Sequence, residues 1–214
     1  MDQLPSDLPG TARPTRVRYG VLAFAAALSM VTYLDRVCIS SGQSYFIRDL
    51  GLRSEADLGL VFAMFTLAYS IFEVPSGWLG DVWGPRKVLI RIVLWWSFFT
   101  ALTGIIGMHI GGVVLGGVAT LAVVRFLFGM GEAGAYPSIT RALHNWFPVQ
   151  ERGVAQGTVW MAARLMGGLT PMVWLVLVEG FHMPGTASGT IVGGWLPWRA
   201  TFWLFGAIGV VWCV

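Results

Sequence analysis

The sequence predicts an all-α membrane protein with six transmembrane helices, and three observations carry that prediction. Hydrophobic residues make up 56% and charged residues 12% of the 214 residues, with a mean hydropathy of +0.68, far more apolar than a soluble domain needs. Apolar runs long enough to cross a hydrocarbon core of roughly 30 Å recur near 19–40, 57–80, 88–108, 113–138, 153–178 and 198–214. Ionisable groups inside such runs cost roughly 2.5–3.5 kcal/mol each in lipid, so the few present, above all Arg125 and Glu132, mark a functional site.

Residues 1–18 carry Pro5, Pro9 and Pro14 with Arg13, Arg16 and Arg18 and no apolar run. They read as a polar tail without a cleavable signal, which makes the first helix its own targeting signal. If the helices alternate in direction, Arg13, Arg16, Arg18, Arg86, Lys87, Arg91, Arg141 and Arg152 fall on one side, and Arg48, Arg53 and Arg199 on the other. That bias places the N-terminus in the cytoplasm of a multi-pass plasma-membrane protein. Of the 14 lysines and arginines all but Lys87 are arginine, a hint of a GC-rich bacterial gene and hence of the bacterial inner membrane. The net charge of +3 follows from this topology and gives no support to nucleic-acid binding.

Cys38 and Cys213 lie in the first and last runs, where no disulfide is expected and small apolar residues fit. His109, His144 and His182 sit in separate loops without ligand spacing, so neither a metal site nor any other cofactor is predicted. An intramembrane serine protease would need a histidine at membrane depth, which these positions do not supply. Ser54-Glu55-Ala56-Asp57 reads as a capping box opening the second helix. Pro75, Pro137 and Pro171 fall within or near the ends of helices two, four and five, where they either bend the helix or serve packing.

Charge within the runs is patterned. Arg125 and Glu132 are two helical turns apart, so they share a face about 10.5 Å along the axis, a spacing suited to flanking a small polar ligand. Asp35 and Arg36 are adjacent and point about 100° apart, so each needs a partner on another helix. Cross-pairs Asp35–Arg125 and Arg36–Glu132 answer that need. Gly129, on the Arg125 face, either leaves space beside the site or, like Gly131, lets a neighbouring helix approach. Arg164, about 16 Å into the fifth helix, is a third cavity cation or else snorkels or pairs with Glu73.

Between the second and third helices runs Gly77-Trp78-Leu79-Gly80-Asp81-Val82-Trp83-Gly84-Pro85-Arg86-Lys87. Its glycines permit close helix approach at a tight turn, and Asp81 is placed to accept from Arg86 or a helix N-terminus. The segment resembles the cytoplasmic motif of the major facilitator superfamily, G-x-L-[A/G]-D-x-x-G-x-[R/K]-[R/K]. Tyr33-Leu34-Asp35-Arg36 is similar to the Y-x-D-R element of that superfamily's anion:cation symporters, and Arg125 through Ala133 to their R-x-x-x-G-x-x-E-A pattern. Trp146-Phe147-Pro148 with Glu151-Arg152-Gly153 resembles their loop between helices four and five.

The resemblance implies the N-terminal half of a major-facilitator fold, two inverted three-helix repeats with helices one and four leading. It implies a proton-coupled symporter of an organic anion such as a sugar acid, hexuronate or other carboxylate. Arg36 and Arg125 would contact the substrate carboxylate with Tyr33 beside them, Asp35 and Glu132 would carry or relay protons, and Gly77, Gly80, Asp81, Gly84 and Arg86 would latch the cytoplasmic gate. The expected partners are the anion, protons, the bilayer and a second six-helix half, since the chain stops at Val214 within apolar sequence. The rival expectation is a truncated or half-size scaffold or homodimer that transports nothing by itself.

Overall fold

A computed structural model describes residues 16–52, 55–110, 113–114, 116–182 and 191–213. The helices are α1 (Val17–Ser41), α2 (Gln43–Leu50), α3 (Glu55–Trp83), α4 (Pro85–Thr103), α5 (Val118–Glu132), α6 (Ala135–Trp146), α7 (Val149–Trp174) and α8 (Trp198–Trp212). A π-helical turn, Leu175–Glu179, extends α7 beyond Pro171. Two minimal antiparallel hairpins pair β1 (His109–Ile110) with β2 (Val113–Val114) and β3 (Phe181–His182) with β4 (Ile191–Val192). The tail to residue 15 and the Ser54 cap lie outside the described residues.

Among the described residues, four segments are long and apolar enough to cross a membrane: Val17–Ser41, Ala56–Trp83, Val118–Trp146 and Val149–Glu179. The other two predicted runs are helical but shorter or more charged. α4 carries Arg86, Lys87 and Arg91 near its start, and α8 is 15 residues long. The expected third span, 88–108, ends early because the chain leaves the helix after Thr103 and turns into the first hairpin. That hairpin also takes up the start of the fourth, which begins at Val118 rather than 113. The short helix α2 is an addition the sequence reading lacked. It closes on Gly51 in the left-handed conformation, φ 63°, the usual glycine exit.

The helices pack in pairs, α1 along α7, α3 along α5 and α4 along α8, around a core that includes Leu28, Phe46, Trp96, Phe128 and Phe202. Close approach explains two features. A Cβ at Gly129 would stand 2.5 Å from the Phe65 carbonyl oxygen, so this glycine serves the α3–α5 contact rather than leaving open space. The fourth predicted helix is in fact two, α5 and α6, broken at Ala133 and Gly134, the latter at φ 91°. Pro137 has no N–H to give the Ala133 carbonyl and its ring crowds that group, which is why the ladder fails there. Glycine alone adopts the resulting φ without strain.

Each end is tied by polar contacts. At one end Arg18 pairs with Glu151 at 3.1 Å, joining α1 to α7, while Arg152 donates to the Phe147 and His144 carbonyls and so caps α6. At the other end Asp49 of α2 accepts from the Trp198 indole at 2.8 Å and from Arg199 and Arg48 at 3.0 Å each. Partial burial opposes its charge, but the Trp198, Arg48 and Arg199 donors outweigh it and hold the carboxyl below its ordinary value. Asp49 therefore contributes stability that is present above about pH 4 and lost as pH falls through its lowered pKa. Asp49→Asn is expected to cost under about 1 kcal/mol and to lower the melting temperature slightly in detergent at pH 7. The gap between variant and wild type should close as the pH is taken from 5 toward 3.

Candidate substrate and coupling site

The charged residues of α1 and α5 meet inside the bundle. Arg36 of α1 donates through Nη2 to Glu132 Oε1 at 2.5 Å, and the Glu132 side chain is 1% exposed. Glu132 is the last residue of α5, where the helix dipole disfavours a carboxylate, and Arg36 supplies a facing cation from another helix. The Arg36 guanidinium lies 5.3 Å from the Tyr33 ring centroid and 5.1 Å from those of Phe65 and Tyr69. Three aromatic faces thus hold a half-buried cation in place.

The second cross-pair is open. Asp35, 1% exposed, has no hydrogen-bond partner on either carboxylate oxygen. Arg125 of α5 and Glu132 face it electrostatically, but no Asp35–Arg125 ion pair forms within 4 Å. The Thr100 hydroxyl of α4 stands beside Asp35 outside hydrogen-bond geometry. Arg125 is 3% exposed and rests 4.9 Å from the Phe128 ring centroid, with Nε and Nη2 unpartnered. Buried donors and acceptors left in this state are expensive. The cluster therefore holds one single-contact ion pair, with Arg36 Nε and Glu132 Oε2 unpartnered, beside an Asp35 and an Arg125 that are not paired with each other.

Arg164 is exposed near the middle of α7, about 22 Å along a helix of about 39 Å, with no ion pair to Glu73. It shares a face with Trp160, one turn before it, and with Gly167, where an added Cβ would meet the Tyr33 ring at 3.0 Å. Two aromatic residues that sequence reasoning passed over belong here too. Tyr136 stacks on Trp160, centroids 4.4 Å apart and planes 5° apart, and its buried hydroxyl has no partner. Tyr69 supplies one of the faces around Arg36. The available signal for Tyr136 was its place directly before Pro137; for Tyr69 it was the i+4 spacing from Phe65.

The gate motif departs from expectation at one contact. Asp81 pairs with Arg141 of α6 at 3.4 Å, not with Arg86. Gly84, φ 85°, is the single residue between α3 and α4. Gly77 and Gly80 face Pro137 and Ser138 of α6, where added Cβ atoms would lie 3.5 and 3.0 Å away. The motif therefore joins α3 to α6, the lower half of the broken helix.

A family model described as Major Facilitator Superfamily matches residues 25–214. The chain belongs to the major facilitator superfamily. It is 38% identical over 92% of its length to a probable sulfoacetate transporter of Cupriavidus necator. It is 29% identical over 99% to a probable galactarate/D-glucarate transporter of Escherichia coli, and 30% identical over 91% to a hexuronate transporter of Bacillus subtilis. These relatives put it with the anion:cation-symporter-like members of the superfamily, and it covers 40–43% of their length. A crystal structure of a bacterial homolog of the human lysosomal transporter Spinster, inward-facing and unoccupied, superposes with TM-score 0.73 at 21% identity, covering 95% of this chain and 42% of that one. That likeness is one of fold.

Proposed function

We propose that this chain forms the N-terminal six-helix half of a secondary transporter that carries an organic anion with a proton by alternating access, its N-terminus in the cytoplasm and its site facing a second half. The observation that carries the reading is Arg125, a deeply buried guanidinium with free donors beside a paired Arg36. A substrate carboxylate satisfies those donors in the bidentate manner arginine favours. Relatives named for sulfoacetate, galactarate/D-glucarate and hexuronate transport support a small carboxylate or sulfonate substrate.

Charge balance supports proton coupling. Asp35, Arg36, Arg125 and Glu132 sum to zero when all are ionised, so a bound monoanion leaves the buried cluster at −1, which low-dielectric surroundings penalise. One proton on Asp35 or Glu132 restores neutrality. Tyr33, Tyr136 and Arg164 offer further contacts to the remainder of a hydroxylated or doubly charged substrate. The test is accumulation of labelled D-glucarate by the full-length protein in liposomes under an imposed pH gradient, acid outside. Uptake above equilibrium that collapses with a protonophore supports the reading. Binding without transport would favour the scaffold alternative, and neither would dismiss the substrate class.

The gate reading shifts from Arg86 to Arg141. Both partners of the Asp81 pair are more than half exposed, so its loss costs under about 1 kcal/mol of stability, yet it ties two helices that must separate. Arg141→Gln is expected to match Asp81→Asn in raising the reactivity of cysteines introduced at the cytoplasmic mouth, with transport slowed and substrate affinity in detergent little changed. Unaltered reactivity in both variants would remove the latch.

A further inference from the structure

With Asp81 held by Arg141, Arg86 is a motif cation without a use. It is exposed in the first turn of α4 and has no ion pair within 4 Å among the described residues. Its side chain borders a groove of about 620 Å³, within the roughly 300–1,000 Å³ usual for ligand sites. Phe24 and Leu28 of α1, Leu89 of α4, Ile139 and Trp146 of α6 and Trp212 of α8 wall it. Arg86 is the one charged lining residue among the described residues. Along α1 the groove runs from Val17 to Leu28, about 17 Å, or close to half of a roughly 30 Å hydrocarbon core.

Depth of one leaflet, apolar walls and a cation with a tryptophan at the rim are the chemistry of a membrane interface. The groove also lies away from α3 and α7, whose spans are the barest, with 17% buried in each. Neither helix lines it. We propose that the groove binds one anionic phospholipid of that leaflet, an acyl chain against Val21, Phe24 and Leu89 and the phosphate on the Arg86 guanidinium. Such a lipid joins α1, α4, α6 and α8 at one end. The proposal rests on the membrane placement of the chain and is independent of which anion is carried.

Cys213 is part of the same wall, and the chain's other cysteine, Cys38, is buried. In full-length protein with cysteines outside this chain replaced, N-phenylmaleimide should label Cys213 in phosphatidylcholine vesicles. Adding phosphatidylglycerol should slow labelling about fivefold, the factor expected of one basic group at an anionic surface. Arg86→Gln should abolish the protection, Lys87→Gln should keep it, and Leu89→Trp, which fills the groove, should abolish phosphatidylglycerol retention in native mass spectrometry. Melting temperatures check that the variants fold. Equal labelling in both vesicles, protection that survives Arg86→Gln, or equal protection by soluble glycerol 3-phosphate overturns the proposal. So does a Cys213 that never labels, since protein would then cover the groove.

Discussion

Arg125→Ala in the full-length carrier is expected to abolish uptake while leaving membrane expression near normal. The guanidinium already lacks partners for Nε and Nη2, so its removal breaks no ion pair; what it takes away is the contact proposed for the substrate. Losing a buried, charge-assisted interaction costs about 2–5 kcal/mol of binding, at least a thirtyfold loss of affinity at roughly 1.4 kcal/mol per tenfold. Arg125→Lys should rescue poorly, because an ammonium cannot reproduce the planar fork. Two measurements check this: initial uptake in liposomes, and the rise in melting temperature that saturating substrate gives the wild type. Near-normal uptake by the alanine variant would show that the carboxylate binds elsewhere.

Glu132→Gln carries the second large effect. Glutamine keeps an oxygen to accept from Arg36 but no longer takes up or releases a proton, so the Arg36 contact survives while the cluster loses one titrating group. Accumulation driven by a pH gradient is expected to fall to equilibrium, whereas exchange of labelled for unlabelled substrate continues. Asp35→Asn provides the contrast, since Asp35 has no hydrogen bond to preserve. If Glu132→Gln still concentrates substrate when protons are the sole driving force, Glu132 is not the coupling group, and loss of that activity in Asp35→Asn would transfer the role.

How much of this was legible in the sequence depended on whether a contact follows from spacing along one helix. The two-turn separation of Arg125 and Glu132, and the divergence of Asp35 from Arg36, are properties of any α-helix, and the need for a partner across the bundle followed directly. Arg36 did find Glu132. The other predicted pair stayed open because the distance between α1 and α5 at that level is set by packing across the bundle, which no single-helix argument reaches. Asp81 pairs with Arg141 of α6 instead of Arg86 for a related reason: the contact runs between two helices, which spacing within the loop does not reach. The break after Glu132 was readable in principle from Gly134 and Pro137 together, yet an unbroken hydropathy trace runs across it.

That break makes α6 a lever of 12 residues. Tyr136, near its pivot, reaches the aromatic wall of the site through Trp160, and Arg141, five residues further on, grips Asp81 on α3. The two contacts are about 7.5 Å apart along one rigid rod, whereas Arg125 and Glu132 ride on the other side of the joint. A tilt of the rod at Gly134 would move Tyr136 and Arg141 together and leave the charged residues of α5 in place. Under the proposed function, such a tilt would gear occupancy to gating through a single glycine.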